Sequence, residues 1–125
     1  MSRYYLNLVD VLALHDQQMS LYGGADGIRD PGQLEAALFR PQSGYYDDLI
    51  AEAAALWESL SQNHPFVDGN KRTAYVATYS FLRINGLHIS TGHQETWEFL
   101  INLYETGEMN FDRLEVWLRK NTAPV

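Results

Sequence analysis

The segment "DDLIAEAAALWESLSQN", Asp47 to Asn63, fixes the centre of whatever this chain becomes. Leu49, Ala53, Leu56 and Leu60 recur at helical spacing along one side. Alanine adds almost no bulk beyond the backbone, so a helix this rich in it admits another helix at close range. Pro65 ends the run, because the residue before a proline is pushed out of helical geometry. The segment therefore reads as a central helix. With 125 residues the chain suits one domain, residues 1–125, able to bury roughly two-thirds of its unfolded surface.

The remaining apolar spacing is helical nearly throughout. Leu8, Val11, Leu12, His15 and Met19 form a stripe that the Gly23-Gly24 pair ends. "DPGQLEAALFRP" is a short helix with Asp30 as N-cap, Pro31 at the first position, Gln33 completing a capping-box pattern and Pro41 as the stop. "QSGYY", residues 42–46, reads as an exposed loop. "GNKRTAYVATYSFLRING" is helical up to Gly86. Thr91-Gly92-His93-Gln94 has the form of a cap for "ETWEFLINLYETG", and a last helix runs from Asn110 to Lys120. Leu87 to Ser90 reads as a short extended piece, and Trp57, Trp97 and Trp117 sit at core spacings. The expectation is an all-α, compact domain of six or seven helices.

Cysteine is absent, which excludes disulfides and Cys-ligated zinc. The N-terminal "MSRYYLNLVD" lacks a basic region followed by an apolar run, and no apolar run approaches the ~18 residues of a membrane span. A cytoplasmic protein is expected, with no membrane partner. The net charge is −7, from 16 acidic and 9 basic residues, so direct nucleic-acid binding is not expected. Against that background the neighbours Lys71 and Arg72 mark a local anion site.

They belong to "NHPFVDGNKRTA", Asn63 to Ala74, which lies between two helices. Gly69 opens the second helix, and first-turn amides have no partners inside their own helix. That end also carries the positive pole of the helix dipole and readily takes anions. Asn70, Lys71 and Arg72 add an amide, a point charge and a planar fork suited to phosphate oxygens. Imidazole is the usual general base, which gives His64 a role. A carboxylate beside a phosphate cradle is the usual ligand of Mg²⁺, which gives Asp68 one. The set reads as a phosphoryl- or nucleotidyl-transfer site whose attacking hydroxyl comes from a partner. Phe66 and Val67 read as anchors that plug the loop into the core. The structural alternative is an Asx-capped turn at Asp68-Gly69-Asn70 followed by a solvated first turn.

"HPFVDGNKR" resembles the signature of the Fic/Doc family, His-x-Phe-x-Asp/Glu-Gly-Asn-x-Arg. Within it the likeness is to the Doc (death-on-curing) toxins of type II toxin–antitoxin modules. "GIRDPGQLEAALFRPQ" and "KRTAYVATYSFLRINGL" extend it over most of the chain. The resemblance implies a Fic-type helical fold, His64 as base, Asp68 on Mg²⁺, and Gly69, Asn70, Lys71 and Arg72 on the phosphates of ATP. AMP-transferring members usually have Gly where this chain has Lys71, whereas Doc members have Lys. Doc members act as kinases that move the γ-phosphate to a Thr of elongation factor Tu and stop translation. A long cation in place of Gly fills space and adds charge, which suits a different nucleotide pose. Many Fic proteins carry an inhibitory helix, Ser/Thr-x-x-x-Glu-Gly/Asn. "TGHQET", Thr91 to Thr96, comes closest but fails at its last position, so inhibition in trans by a separate antitoxin is expected.

Tyr45 and Tyr46 precede the central helix, where Fic proteins carry a flap; they read either as a clamp for target or nucleotide, or as plain exposed aromatics. Arg29 and Asp30 read as a cap and a surface ion pair, and His15 as a core histidine. His88 and His93 match no zinc spacing with His64. Competing readings are AMP transfer to a protein hydroxyl, a catalytically silent antitoxin-binding module, and a metal-dependent nuclease, which fits the charge poorly.

Overall fold

In the computed structural model, which describes residues 3–125, a short polar side chain starts four of six helices. Met1 and Ser2, the first residues of the N-terminal stretch read for a leader, lie outside the described residues. Helix α1, Leu8–Tyr22, begins with a reciprocal box: Asn7 accepts from the Asp10 amide and Asp10 from the Asn7 amide, each at 2.9 Å. Asp30 caps α2, Pro31–Phe39, by accepting from the Gln33 amide. The reciprocal half expected of Gln33 is missing, because the Asp30 amide is taken by the Pro65 carbonyl at 3.0 Å. Asp48 caps α3, Leu49–Gln62, and Asn110 caps α6, Phe111–Lys120.

Glycines start the other two, Gly69 for α4, Asn70–Ile84, and Gly92 for α5, His93–Thr106. Thr91, expected to cap α5, instead turns its hydroxyl to the Asn121 side chain. After α2 the chain makes one 3-10 turn, Arg40–Gln42. The extended piece expected at Leu87 is β1, Leu87–Ile89; it pairs antiparallel with β2, Thr122–Pro124, His88 opposite Ala123. The molecule is thus mostly helical, with one two-stranded sheet among the described residues. No helix among them is long and apolar enough to cross a membrane.

Helix α3 is the axis of the core. All of its residues are buried except Leu49, Glu58 and Gln62. It lies between α4 and α6, and Ala53, Ala54, Ala74 and Ala77 are fully buried, as close helix approach requires. Trp57 packs on Tyr75 at 5.6 Å and on Trp117 at 5.9 Å, and Phe99 of α5 stacks on Trp117 at 4.7 Å. Two core expectations fail. Trp97 is 55% exposed, because α5 turns Thr96, Leu100 and Leu103 inward, and Leu8 is exposed on the first turn of α1.

Arg119, in the last turn of α6, forks onto the Asp48 carboxylate at 2.9 and 3.2 Å. That hydrogen bond, with the Ala51 amide, holds the Asp48 carboxyl below its usual range. Asp48→Ala is expected to cost roughly 1 kcal/mol at neutral pH, chiefly through the lost cap, since the ion pair is half exposed and screened. A lowered folded pKa adds stability above the unfolded value, about 3.9, and that stability disappears as pH falls through the folded value. In urea unfolding, the gap between wild type and variant should therefore narrow below about pH 4. A gap that widens in acid contradicts this.

Candidate active site

Residues 63–69 join α3 to α4, and the neighbouring 27–30 segment ties them down. The Pro65 carbonyl accepts from the Arg29 and Asp30 amides at 2.8 and 3.0 Å, and the Val67 amide donates to Gly27 at 3.0 Å. Ile28 and Phe66 thereby form an isolated antiparallel bridge. Side chains alternate across such an extended pairing. Phe66 points inward at 1% exposure, while Val67 points out at 55%, so only the first of the two expected anchors is one. The Phe66 ring stacks on the buried His15 ring at 3.9 Å with the planes 8° apart. His15, a core histidine as expected, also bonds the Asp68 carbonyl at 2.9 Å.

Asn70 was expected on phosphate, and its amide is committed elsewhere. Its Oδ1 accepts from the Phe66 amide at 2.9 Å and its Nδ2 donates to the Phe66 carbonyl at 3.0 Å. Asn70 is therefore a brace that locks the loop to the first turn of α4. Gly69 is left-handed, φ 76°, and its α-carbon faces Met19 so closely that a Cβ would collide with the Met19 methyl group. No side chain caps α4, so its first-turn amides face outward from this turn without a side-chain acceptor.

Asp68 sits at that open end. Its Oδ1 accepts from the Gly69 amide at 2.8 Å and its Oδ2 from the Ala25 amide at 3.2 Å. These two bonds, then the nearby Arg72 charge, hold its carboxyl below the usual range, so it is an exposed, ionised carboxylate. The approach of the 23–25 turn depends on Gly24, where a Cβ would lie 2.9 Å from Asp68 Oδ2. One carboxylate fits Mg²⁺ only if a nucleotide supplies further oxygens, since no group of three metal-ligating side chains exists among the described residues. Each Asp68 oxygen carries one hydrogen bond and keeps lone-pair capacity for such a cation.

His64 and Lys71 line one cavity of about 210 Å³, together with Ser61, Leu103, Tyr104 and Met109. The Lys71 ammonium lies 4.5 Å above the Tyr104 ring. Tyr104 is held by a 3.1 Å hydrogen bond with Ser61, and burial pushes its phenol pKa up. Arg72 turns the other way, donating to the Gly23 carbonyl at 3.2 Å and stacking over Tyr22 at 5.3 Å. The two cations thus flank the start of α4 on opposite sides. A larger cavity, about 360 Å³ between the N-terminal segment and α2, holds none of the motif residues.

The two loop tyrosines part company. The Tyr46 hydroxyl accepts from Arg40 at 2.6 Å and its ring packs on Phe111 at 5.5 Å, which makes it scaffold. Tyr45 is 81% exposed, edge-on to Tyr46 at 5.1 Å, and has an open ring face. Arg29 makes no ion pair with Asp30. Its guanidinium donates to the carbonyls of His64 and Asn63 at 2.6 and 2.8 Å. Sequence reasoning missed this role and that of Tyr104, because both arise from contacts between segments more than thirty residues apart.

The sequence model of the family described as Fic/DOC family matches residues 5–82. Toxin Doc of Mycolicibacterium smegmatis is 39% identical over 116 residues, covering 88% of this chain and 87% of that protein. Protein kinase doc of Escherichia phage P1 is 39% identical over 84 residues, covering 64% of this chain and 67% of that protein.

Gly69→Ala puts a Cβ on a left-handed backbone and makes the Met19 methyl end swing aside, so it should destabilise by roughly 1–3 kcal/mol, chiefly through the backbone. Chemical denaturation checks this, and a variant as stable as wild type overturns the geometry given for the turn.

Proposed function

The chain belongs to the Fic/DOC family, and from that premise we propose that residues 1–125 form one Doc-type toxin domain of a type II toxin–antitoxin pair. It is a phosphotransferase that moves the γ-phosphate of ATP to a Ser or Thr hydroxyl of a translation factor, elongation factor Tu, and so arrests translation in the cytoplasm. The observation that carries this reading is the shared cavity wall: His64 and Lys71 meet there, beside the uncapped start of α4.

In the proposed reaction His64 takes the proton of the target hydroxyl as its oxygen bonds to the γ-phosphorus. The bond from that phosphorus to the bridging oxygen breaks, and ADP leaves. Lys71, Arg72 and the first-turn amides of α4 offset charge on the transferring group. Gly69 lets backbone reach the phosphates, and Asn70 keeps the turn rigid by holding Phe66. Asp68 is the residue that would hold Mg²⁺, which would supply further neutralisation of the phosphate oxygens. Tyr45, with its open ring, is the member of the tyrosine pair suited to clamp target or nucleotide.

Two features favour phosphate over AMP transfer. Lys71 stands where AMP-transferring members usually have Gly, and the phage relative carries the name protein kinase. Inhibition by a separate antitoxin is favoured by the fate of Thr91–Thr96. That stretch, the nearest to an inhibitory signature, leads into and forms the first turn of α5, with Thr96 buried at 5%.

Two ATP samples, labelled at the α- or the γ-phosphate, test the proposal with purified protein, Mg²⁺ and a bacterial extract. Label should reach a protein only from the γ position, and His64→Ala should lower that transfer by about 10²-fold or more. Transfer from the α position means an AMP-transferase and removes the meaning given to Lys71. No transfer from either makes the chain an antitoxin-binding module.

A further inference from the structure

Three successive carbonyls of the motif loop end on one residue. Arg29 donates its amide to Pro65 at 2.8 Å, its Nε to His64 at 2.6 Å and its Nη2 to Asn63 at 2.8 Å. The middle of these three, His64, has φ 47° and is the one non-glycine residue with positive φ among the described residues. Such a backbone is strained and persists only where its surroundings over-determine it. Because Pro65 follows, a released His64 would relax to an extended conformation, with φ changing by roughly 120° or more. That rotation would carry the imidazole away from the cavity it shares with Lys71.

We propose that Arg29 is the positioning residue of the site: its fork holds the Asn63 and His64 carbonyls so that the His64 imidazole stays turned into the cavity. The inference rests on the reading of His64 as the base. Arg29 touches neither reacting atom, so its effect is exerted through His64 alone.

A simpler role would be neutralisation of the negative end of α3, whose C-cap is Asn63. Lysine separates the two. A lysine supplies the charge but not two donors in a fixed plane, so it can serve the helix end without fixing the orientation of two consecutive carbonyls. The purified full chain is compared with Arg29→Lys and Arg29→Ala. Three quantities are read: melting temperature, the ¹³Cα and ¹³Cβ shifts of His64, and kcat and KM for ATP in γ-phosphate transfer to the acceptor from the extract.

Arg29→Ala should lower kcat roughly 10- to 100-fold with KM for ATP held within about twofold, and should move the His64 shifts. Arg29→Lys should regain the melting temperature without regaining kcat or the wild-type shifts. Wild-type kcat and His64 shifts in either variant overturn the proposal. Should Arg29→Ala fail to fold, Arg29→Lys alone decides. Should the wild-type chain transfer neither phosphate nor AMP, the reading of His64 as base has failed. The His64 shifts then judge Arg29 by themselves, and unchanged shifts overturn its role.

Discussion

Phe66 is held from every side, and the order of the site follows from that. His15 stacks on its ring, Asn70 bonds both of its peptide groups, and Ile28 faces it across a bridge. These contacts bring together α1, the turn before α2, the loop after α3 and the first residue of α4. Burying one aromatic ring therefore fixes the relative placement of four elements. His64 and Asp68, two residues to either side, inherit a rigid frame that neither could make alone. The C-terminal end of α1 belongs to this frame as much as the motif does, since Ala25 bonds Asp68 and Gly23 bonds Arg72.

The cavity beside His64 is built differently on its two sides. The family match ends at residue 82, within α4, and includes His64 and Lys71. Leu103 and Tyr104, which face them, belong to α5, beyond the match. Helix α5 reaches the core through large side chains, Phe99 on Trp117 and the buried Leu100 and Leu103. His64 and Lys71 sit beside the densely packed α3–α4 layer, and the surface opposite them is carried by a more peripheral helix.

Most of the architecture was legible because it is written locally. Asp30 caps its helix where its side chain is read as a cap, the last helix starts at Asn110 and ends at Lys120 as its spacing predicts, and the alanines of α3 are buried as close packing demands. The misreadings come where distant segments decide. Val67 and Phe66 look alike in sequence, and only the bridge to Ile28 sends one in and the other out. Asn70 and Arg29 are polar residues near the start of α4, yet both act on carbonyl and amide groups of the loop. Strand β2 is three residues ending at a proline, too short to carry a pattern. In the site, the convergence of polar residues on the start of α4 was readable, while the division of labour among them depends on tertiary contacts.

Lys71 rests on the face of Tyr104. An ammonium so placed has already given up part of its water and gained about 0.5–1 kcal/mol from the ring. An anion that approaches Lys71 therefore meets a cation that already has a neighbour, rather than an idle charge. The resting contact thus leaves neither the charge nor the ring face idle: each is the other's occupant until a stronger partner engages one of them.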